Sequence, residues 1–177
     1  MNIFILNSGR CGSTTFIAAC QAIKNFSAAH ESRIHLIGEA RYAFPPHHIE
    51  ADNRLSWSLG RLDRHFGNRA YYVHLQRQNE SCAASFAKRS HFGIMRAYRE
   101  GLLLGGAEGL SDHAIALDYL DTIESNIHLF LRDKSHVLPF QLEHASEDFA
   151  KFWHWIGATG DYQQAVACWQ QRYNASD

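Results

Sequence analysis

The stretch that most constrains this chain is Ile3-Phe4-Ile5-Leu6-Asn7-Ser8-Gly9-Arg10-Cys11-Gly12-Ser13-Thr14-Thr15. Its first half is a short apolar, β-branched run that reads as a buried strand. Its second half is a glycine-punctuated turn carrying a cation and four hydroxyls, three of them at Ser13-Thr14-Thr15. Phe16, Ile17, Cys20 and Ile23 follow at helical spacing, which predicts a helix from Thr14 to Asn25 or Phe26. Strand, glycine turn and helix N-terminus together make an anion site, because unpaired N–H groups point outward there and the helix dipole adds partial positive charge. Gly9 and Gly12 let the backbone curl around a phosphate-sized group, and Arg10 supplies a fixed charge with forked donors. An ordinary strand-to-helix turn would need the glycines for geometry alone and would have no use for the arginine and hydroxyls.

The rest of the chain sets that loop in an α/β pattern. Ser27-Ala28-Ala29-His30-Glu31 reads as a weak second strand or a loop delivering His30 and Glu31, and Ile34 to Ile37 is briefly apolar before Gly38. From His47-His48 to Asn53 the pattern is ambiguous between strand and loop. Leu55, Leu59, Leu62 and Phe66 mark one amphipathic helix, stopped at Gly67-Asn68. Ala70 to Leu75 is aromatic and bounded by turn residues, the best strand after the first. It leads through Gln76-Arg77 into a helix with Asn79 as N-cap. Met95, Tyr98 and Leu102 mark a further helical stripe, ended by Gly105-Gly106. Ser111 or Asp112 caps a long helix whose face is Ile115, Tyr119, Ile123, Ile127 and Phe130.

Val137 to Leu142 is a strand that Pro139 confines to an edge or to a short length. Ser146-Glu147-Asp148 opens a helix burying Phe149, Phe152, Trp153 and Ile156. A last helix from Asp161 shows Tyr162, Ala165, Val166, Trp169 and Tyr173. Strands alternating with helices predict a three-layer α/β fold with a central, mainly parallel sheet and a helix-rich C-terminal half. One domain over residues 1–177 is expected. In such sheets ligands sit at the carboxyl ends of the strands, where the loop at residues 8–15 falls.

Bulk properties limit the partners. The net charge is −1, so broad attraction to nucleic acid or membrane is not expected and any anion site must be local. The four cysteines, Cys11, Cys20, Cys82 and Cys168, form no CxxC pair, which reads as free thiols in a reducing compartment. The apolar start is too short for a signal peptide and no window spans a bilayer, so a soluble, cytoplasmic protein is the expectation. His47-His48 beside Glu50 and Asp52 lacks a defined ligand spacing and reads as solvated loop. No metal site is predicted.

Two familiar loops can be excluded. A Walker A loop requires lysine after its second glycine, and Ser13 stands there. A cysteine phosphatase requires Cys-x5-Arg, and the sixth residue after Cys11 is Ile17. What remains, Gly9-Arg10-Cys11-Gly12-Ser13-Thr14-Thr15 after an apolar strand, resembles the phosphosulfate-binding loop of sulfotransferases. That family uses 3′-phosphoadenosine-5′-phosphosulfate (PAPS) as donor, releases adenosine 3′,5′-bisphosphate (PAP), and has a fold related to P-loop kinases, so the resemblance implies a P-loop NTPase-like sheet. The resemblance implies that Arg10 and the backbone N–H groups of residues 11–15 hold the 5′-phosphosulfate, helped by the hydroxyls of Ser13, Thr14 and Thr15.

A second match is independent of the first. The family's 3′-phosphate site resembles an arginine at the end of a later strand with a serine eight residues on. Here these are Arg77 and Ser85, a bidentate cation at a strand end and a hydroxyl two turns into the next helix. Taken alone, Arg77 would read as a surface ion-pair partner and Ser85 as a packing residue. Many relatives follow this arginine with Asp-Pro, where this chain has Gln78-Asn79. Lys88-Arg89 could add charge nearby, but reads as a solvated helix face.

Sulfuryl transfer also needs a base for the acceptor's proton. Several branches of the family look to use a carboxylate or histidine just after the second strand, which implies Glu31 or His30, Glu31 being preferred. Glu31 could equally pair with Arg33 or Arg41 at the surface. Glu143 also looks like a recurring family feature with a structural role. The segment from Trp169 to Ser176 lacks the Arg-x-Gly-x-x-Gly of the larger cytosolic enzymes. The expected function is sulfuryl transfer to a hydroxyl or amine. The alternatives are a nucleotide kinase or NTPase of the related P-loop class, and a non-catalytic nucleotide-binding module.

Overall fold

A computed structural model describes residues 1–170. Tyr173, the final member of the last predicted helical stripe, lies outside the described residues. Five strands form one wholly parallel sheet in the order β2-β3-β1-β4-β5: β1 (Ile3–Leu6), β2 (Ser27–His30), β3 (His48–Ala51), β4 (Tyr71–Gln76) and β5 (Val137–Gln141). Strand β1 is fully buried along its length, as its unbroken apolar run requires between two helical layers. Pro139 sits on β5, an edge strand, where the missing N–H costs the ladder nothing further outward.

One face is covered by α1 (Ser13–Cys20), α6 (Ala145–Trp155) and α7 (Tyr162–Ala167). Phe16 of α1 is its hub, packed edge-on to Phe140 at 5.0 Å and Phe152 at 4.9 Å and near Trp169 at 5.9 Å. The other face carries α2 (Leu59–Phe66), α3 (Asn79–Ala87) and α5 (Asp112–Leu131), with the short α4 (Gly93–Ala97) leading into a π-helical turn at Tyr98–Leu102. There Phe4 and Tyr72, paired across β1 and β4, meet Phe66 and Phe130. Burying one such aromatic contributes roughly 1.5–3 kcal/mol. Among the described residues no helix is long and apolar enough to cross a membrane.

Several boundaries differ from the sequence reading. The first helix stops at Cys20, because Ile23 forms an antiparallel bridge with Gly160 and the Lys24 N–H goes to the Thr159 carbonyl. The stripe from Leu55 to Phe66 breaks at Ser58 into a 3₁₀ turn, Asn53–Trp57, and α2. The N-cap position of α3 is Gln78 and not Asn79. Ile34 and Ile37 are exposed, 43% and 88%, in a turn segment.

The largest surprise is β3, which the sequence left undecided. It lies between β1 and β2 although His48, Glu50 and Asp52 stand at alternate positions. The polar groups are buried but satisfied. His48 bonds Ser27 and Glu50 at 2.8 Å each, Glu50 accepts from the Ser32 N–H and hydroxyl at 2.7 Å each, and Asp52 accepts from Arg41. The solvated loop expected for His47-His48 and its acidic neighbours is therefore corrected, His47 aside, to a buried, hydrogen-bonded strand with Asp52 buried just after it.

Candidate donor-binding site

The chain leaves β1 toward β2 and β3 on one side and only later takes β4 and β5 on the other. The carboxyl ends of β1 and β4 therefore flank the point where the connections diverge, and a crevice opens there. Residues 7–12 follow β1 and Arg77 follows β4, so the topology itself brings the two predicted anion-binding stretches together.

The loop is bent by left-handed backbone at Gly9 (φ 94°), Arg10 (φ 59°) and Gly12 (φ 88°). A Cβ at Gly9 would meet Asn53 Nδ2 at 3.0 Å and Phe86 Cζ at 3.1 Å, and one at Gly12 would meet Leu142 Cδ1 at 2.7 Å. Arginine gains nothing from a left-handed conformation, which costs roughly 1–2 kcal/mol for a non-glycine residue. Such strain held by its surroundings is common at functional positions. The surroundings here are explicit. The Asn7 carboxamide accepts from the Gly9 N–H at 2.9 Å, Ser56 donates to the Asn7 carbonyl at 3.1 Å, and Tyr119 donates to the Ser8 carbonyl at 2.6 Å. Burial pushes the Tyr119 hydroxyl well up, so it remains a donor.

The consequence is a cradle of free donors. No hydrogen bond within the described residues engages the backbone N–H of Cys11, Gly12 or Ser13, and these groups stand at the positive end of α1. Arg10 Nε donates to Ser85 Oγ at 2.8 Å and Arg77 Nη1 donates to the Arg10 carbonyl at 3.2 Å. Loop, strand end and third helix thus meet in one contact. Burial and then the charge of Arg89, with Arg77 behind it, lower the Arg10 pKa, although a guanidinium stays charged at neutral pH. Neither Arg77 nor Arg89 forms an ion pair among the described residues.

The other predicted residues are distributed as follows. Cys11 is buried beneath the loop, and its thiol and that of Cys82 both donate to the Gly9 carbonyl, at 3.1 and 3.2 Å. A bond from Cys82 favours the thiolate of Cys11, while the same bond and burial push Cys82 far up. Ser13 Oγ shares a hydrogen bond of 3.0 Å with His30 Nε2 at the end of β2. Thr14 and Thr15 lie in the first turn of α1, Thr15 buried. Glu31 has left-handed backbone (φ 50°) and its carboxylate meets Arg54 at 2.8 Å. The partner is neither Arg33 nor Arg41. His30, rather than Glu31, makes the contact with the loop.

Tyr119 and Ser56 are supports that the sequence did not single out as such. Tyr119 was legible only as one member of a helical stripe, since its bond to Ser8 spans 111 residues. Arg89 is exposed, as expected, yet lines an open cleft of about 370 Å³ with Lys88, Ser90, His91 and Phe92. Glu143 accepts from the Gln78 N–H at 3.0 Å and so fixes the turn after Arg77.

No protein-family model matches the chain. None of the curated proteins matches it in sequence. Among solved structures it is similar to the sulfotransferase domain from the curacin biosynthetic pathway, with a TM-score of 0.63 and 15% identity over 96% of this chain and 78% of that one. It is also similar to the mouse sulfotransferase SULT7A1 complexed with PAP, with a TM-score of 0.53 and 15% identity. That match covers 96% of this chain, which spans 63% of the mouse protein's chain. By these likenesses the chain has the sulfotransferase fold, built on its wholly parallel five-stranded sheet.

Proposed function

We propose that the protein is a sulfotransferase that moves a sulfuryl group from PAPS to a hydroxyl or amine. The observation that carries the reading is the contact of Arg10 with Ser85 and Arg77, which joins a loop suited to one phosphate with an arginine–serine pair suited to a second. The amides of Cys11, Gly12 and Ser13 and the Arg10 guanidinium would hold the 5′-phosphosulfate. Arg77 and Ser85 would hold the 3′-phosphate and select this donor over ATP. PAP in the mouse neighbour is in keeping with this choice.

In the reaction the acceptor oxygen or nitrogen attacks sulfur as the bond from sulfur to the bridging oxygen breaks. The SO₃ unit moves to the acceptor, the electron pair of the broken bond stays on PAP, and a base takes the acceptor's proton. Donors fixed at the bridging and nonbridging oxygens stabilise the charge that develops there without reorganising. His30 is favoured as base over Glu31, because His30 Nε2 already bonds a loop hydroxyl while Glu31 is engaged by Arg54. A positioned base of this kind contributes about 10²–10⁴-fold.

The kinase or NTPase reading lacks the Walker lysine, Ser13 standing in its place. The binding-module reading draws on the Glu31–Arg54 pair, which leaves one of the two candidate bases engaged. The test is incubation with ³⁵S-labelled PAPS and a panel of phenols, alcohols and amines. Acceptor-dependent release of PAP with transfer of label supports the proposal. Tight PAPS binding with no transfer to any acceptor favours the binding module.

A further inference from the structure

We propose that His74, Glu124 and His128 form a binding site for a divalent transition metal of the zinc class, tying β4 to α5. His74 projects from β4 on the face covered by α5. Glu124 and His128 are one turn apart on α5 and so share a side of that helix. One ligand atom from each of the three lies within 4.8 Å of the other two. Two imidazoles and a carboxylate suit zinc and its neighbours, and leave a fourth position for water.

The hydrogen bonds around the three side chains suit ligation. His128 Nδ1 lies 2.8 Å from the Glu124 carbonyl. A carbonyl can only accept, so Nδ1 carries the proton and Nε2 keeps a free lone pair. This backbone-oriented imidazole is the arrangement that metal-bound histidines adopt. His74 Nε2 and Glu124 Oε2 are 2.7 Å apart, and Gln76 Nε2 donates to the same carboxylate oxygen at 3.2 Å. The carboxylate is thereby oriented by a neighbour that is not a ligand. The His74 and His128 rings stand nearly perpendicular, with centroids 4.8 Å apart. Metal–ligand bonds of about 2.0–2.2 Å put ligand atoms about 3.4 Å apart in a tetrahedron, so side-chain rotation must draw in the wider contacts by up to about 1.4 Å and part His74 and Glu124 by roughly 0.7 Å.

His74 is 4% exposed while His128 is exposed, so the metal has an inner anchor and an open entry. The site braces β4 three residues before Arg77, but the proposal does not depend on what Arg77 binds.

The test is titration of chelator-treated protein with Zn²⁺ by calorimetry, with Co²⁺ as an optical probe of coordination and thermal melts as a second readout. One equivalent should bind, and a hundredfold excess over Kd should raise Tm by roughly 5–10 °C. His128→Ala, at an exposed position, should fold normally and weaken binding at least tenfold. Glu124→Gln should do the same. Absence of binding by the unaltered protein, or affinity unchanged in His128→Ala, would overturn the proposal, the latter by moving the ion to some other of the 12 histidines.

Discussion

Replacing Arg77 with alanine separates the two halves of the donor site. In the folded chain Arg77 makes one side-chain hydrogen bond, to the Arg10 carbonyl at 3.2 Å, and no ion pair among the described residues. Losing that bond costs about 1 kcal/mol of stability, a fall in Tm of about 2–4 °C for a chain of this size. The loss to a bound 3′-phosphate is larger, because that contact is charge-assisted and forked. A hydrogen bond to a charged group is worth about 1.5–3 kcal/mol, or roughly 10–150-fold in Kd. Calorimetry at one fixed salt concentration, with PAP and with 5′-AMP, reads the difference directly. PAP should weaken by that factor, whereas 5′-AMP, which lacks the 3′-phosphate, should change less than about threefold. Equal losses for the two ligands would refute the assignment of Arg77 to the 3′-phosphate.

The remaining predictions concern the base, the loop and one buried carboxylate. His30→Ala should slow sulfuryl transfer by about 10²–10⁴-fold with PAP affinity unchanged, and Glu31→Gln should slow it less than about tenfold; the reverse order would move the base to Glu31. Gly12→Ala forces alanine into left-handed backbone and its Cβ against Leu142, so it should destabilise by about 1–2 kcal/mol, while Gly60→Ala, in open space on α2, should stabilise by up to about 1 kcal/mol. Melts that move the same way in both variants would contradict the geometry. Partial burial opposes ionisation of Asp148, but the Gln141 N–H and Lys151 outweigh it and hold its pKa below the ordinary value. Its contribution is therefore present above about pH 4 and lost as pH falls through the depressed value. The Tm gap between the unaltered protein and Asp148→Asn should narrow below about pH 4, and a gap that widens there would be inconsistent with it.

What could be read from the sequence is what local pattern decides. Strand β1, its loop and the start of α1 are contiguous, and each is marked by an apolar run, glycines or helical spacing. β4 and α5 were legible for the same reason, Ser111 capping α5 by accepting from the Ala114 N–H at 3.1 Å. β3 was not, because its alternating His48, Glu50 and Asp52 look solvent-facing until Ser27, Ser32 and Arg41 are brought to them by the fold. The end of α1 was missed because Gly160, its competitor for Ile23, lies far along the chain.

At the site the residue types were legible and their partners were not. Arg10 and Ser85 could each be named from motifs, yet their contact spans 75 positions. The expectation of a base at Glu31 or His30 came from the family resemblance and their place after the second strand, and the Arg54 that engages Glu31 is visible only once the 3₁₀ turn after β3 is folded.

The central claim is that the loop and the Arg77–Ser85 pair serve one donor with phosphates at both ends. Isothermal calorimetry of the unaltered protein with PAP, set against ADP plus Mg²⁺, tests it most directly. The account predicts that PAP binds more tightly, by at least about tenfold, since the 3′-phosphate adds a charge-assisted contact of about 1.5 kcal/mol or more. ADP with Mg²⁺ binding as tightly as PAP, or more so, would contradict it.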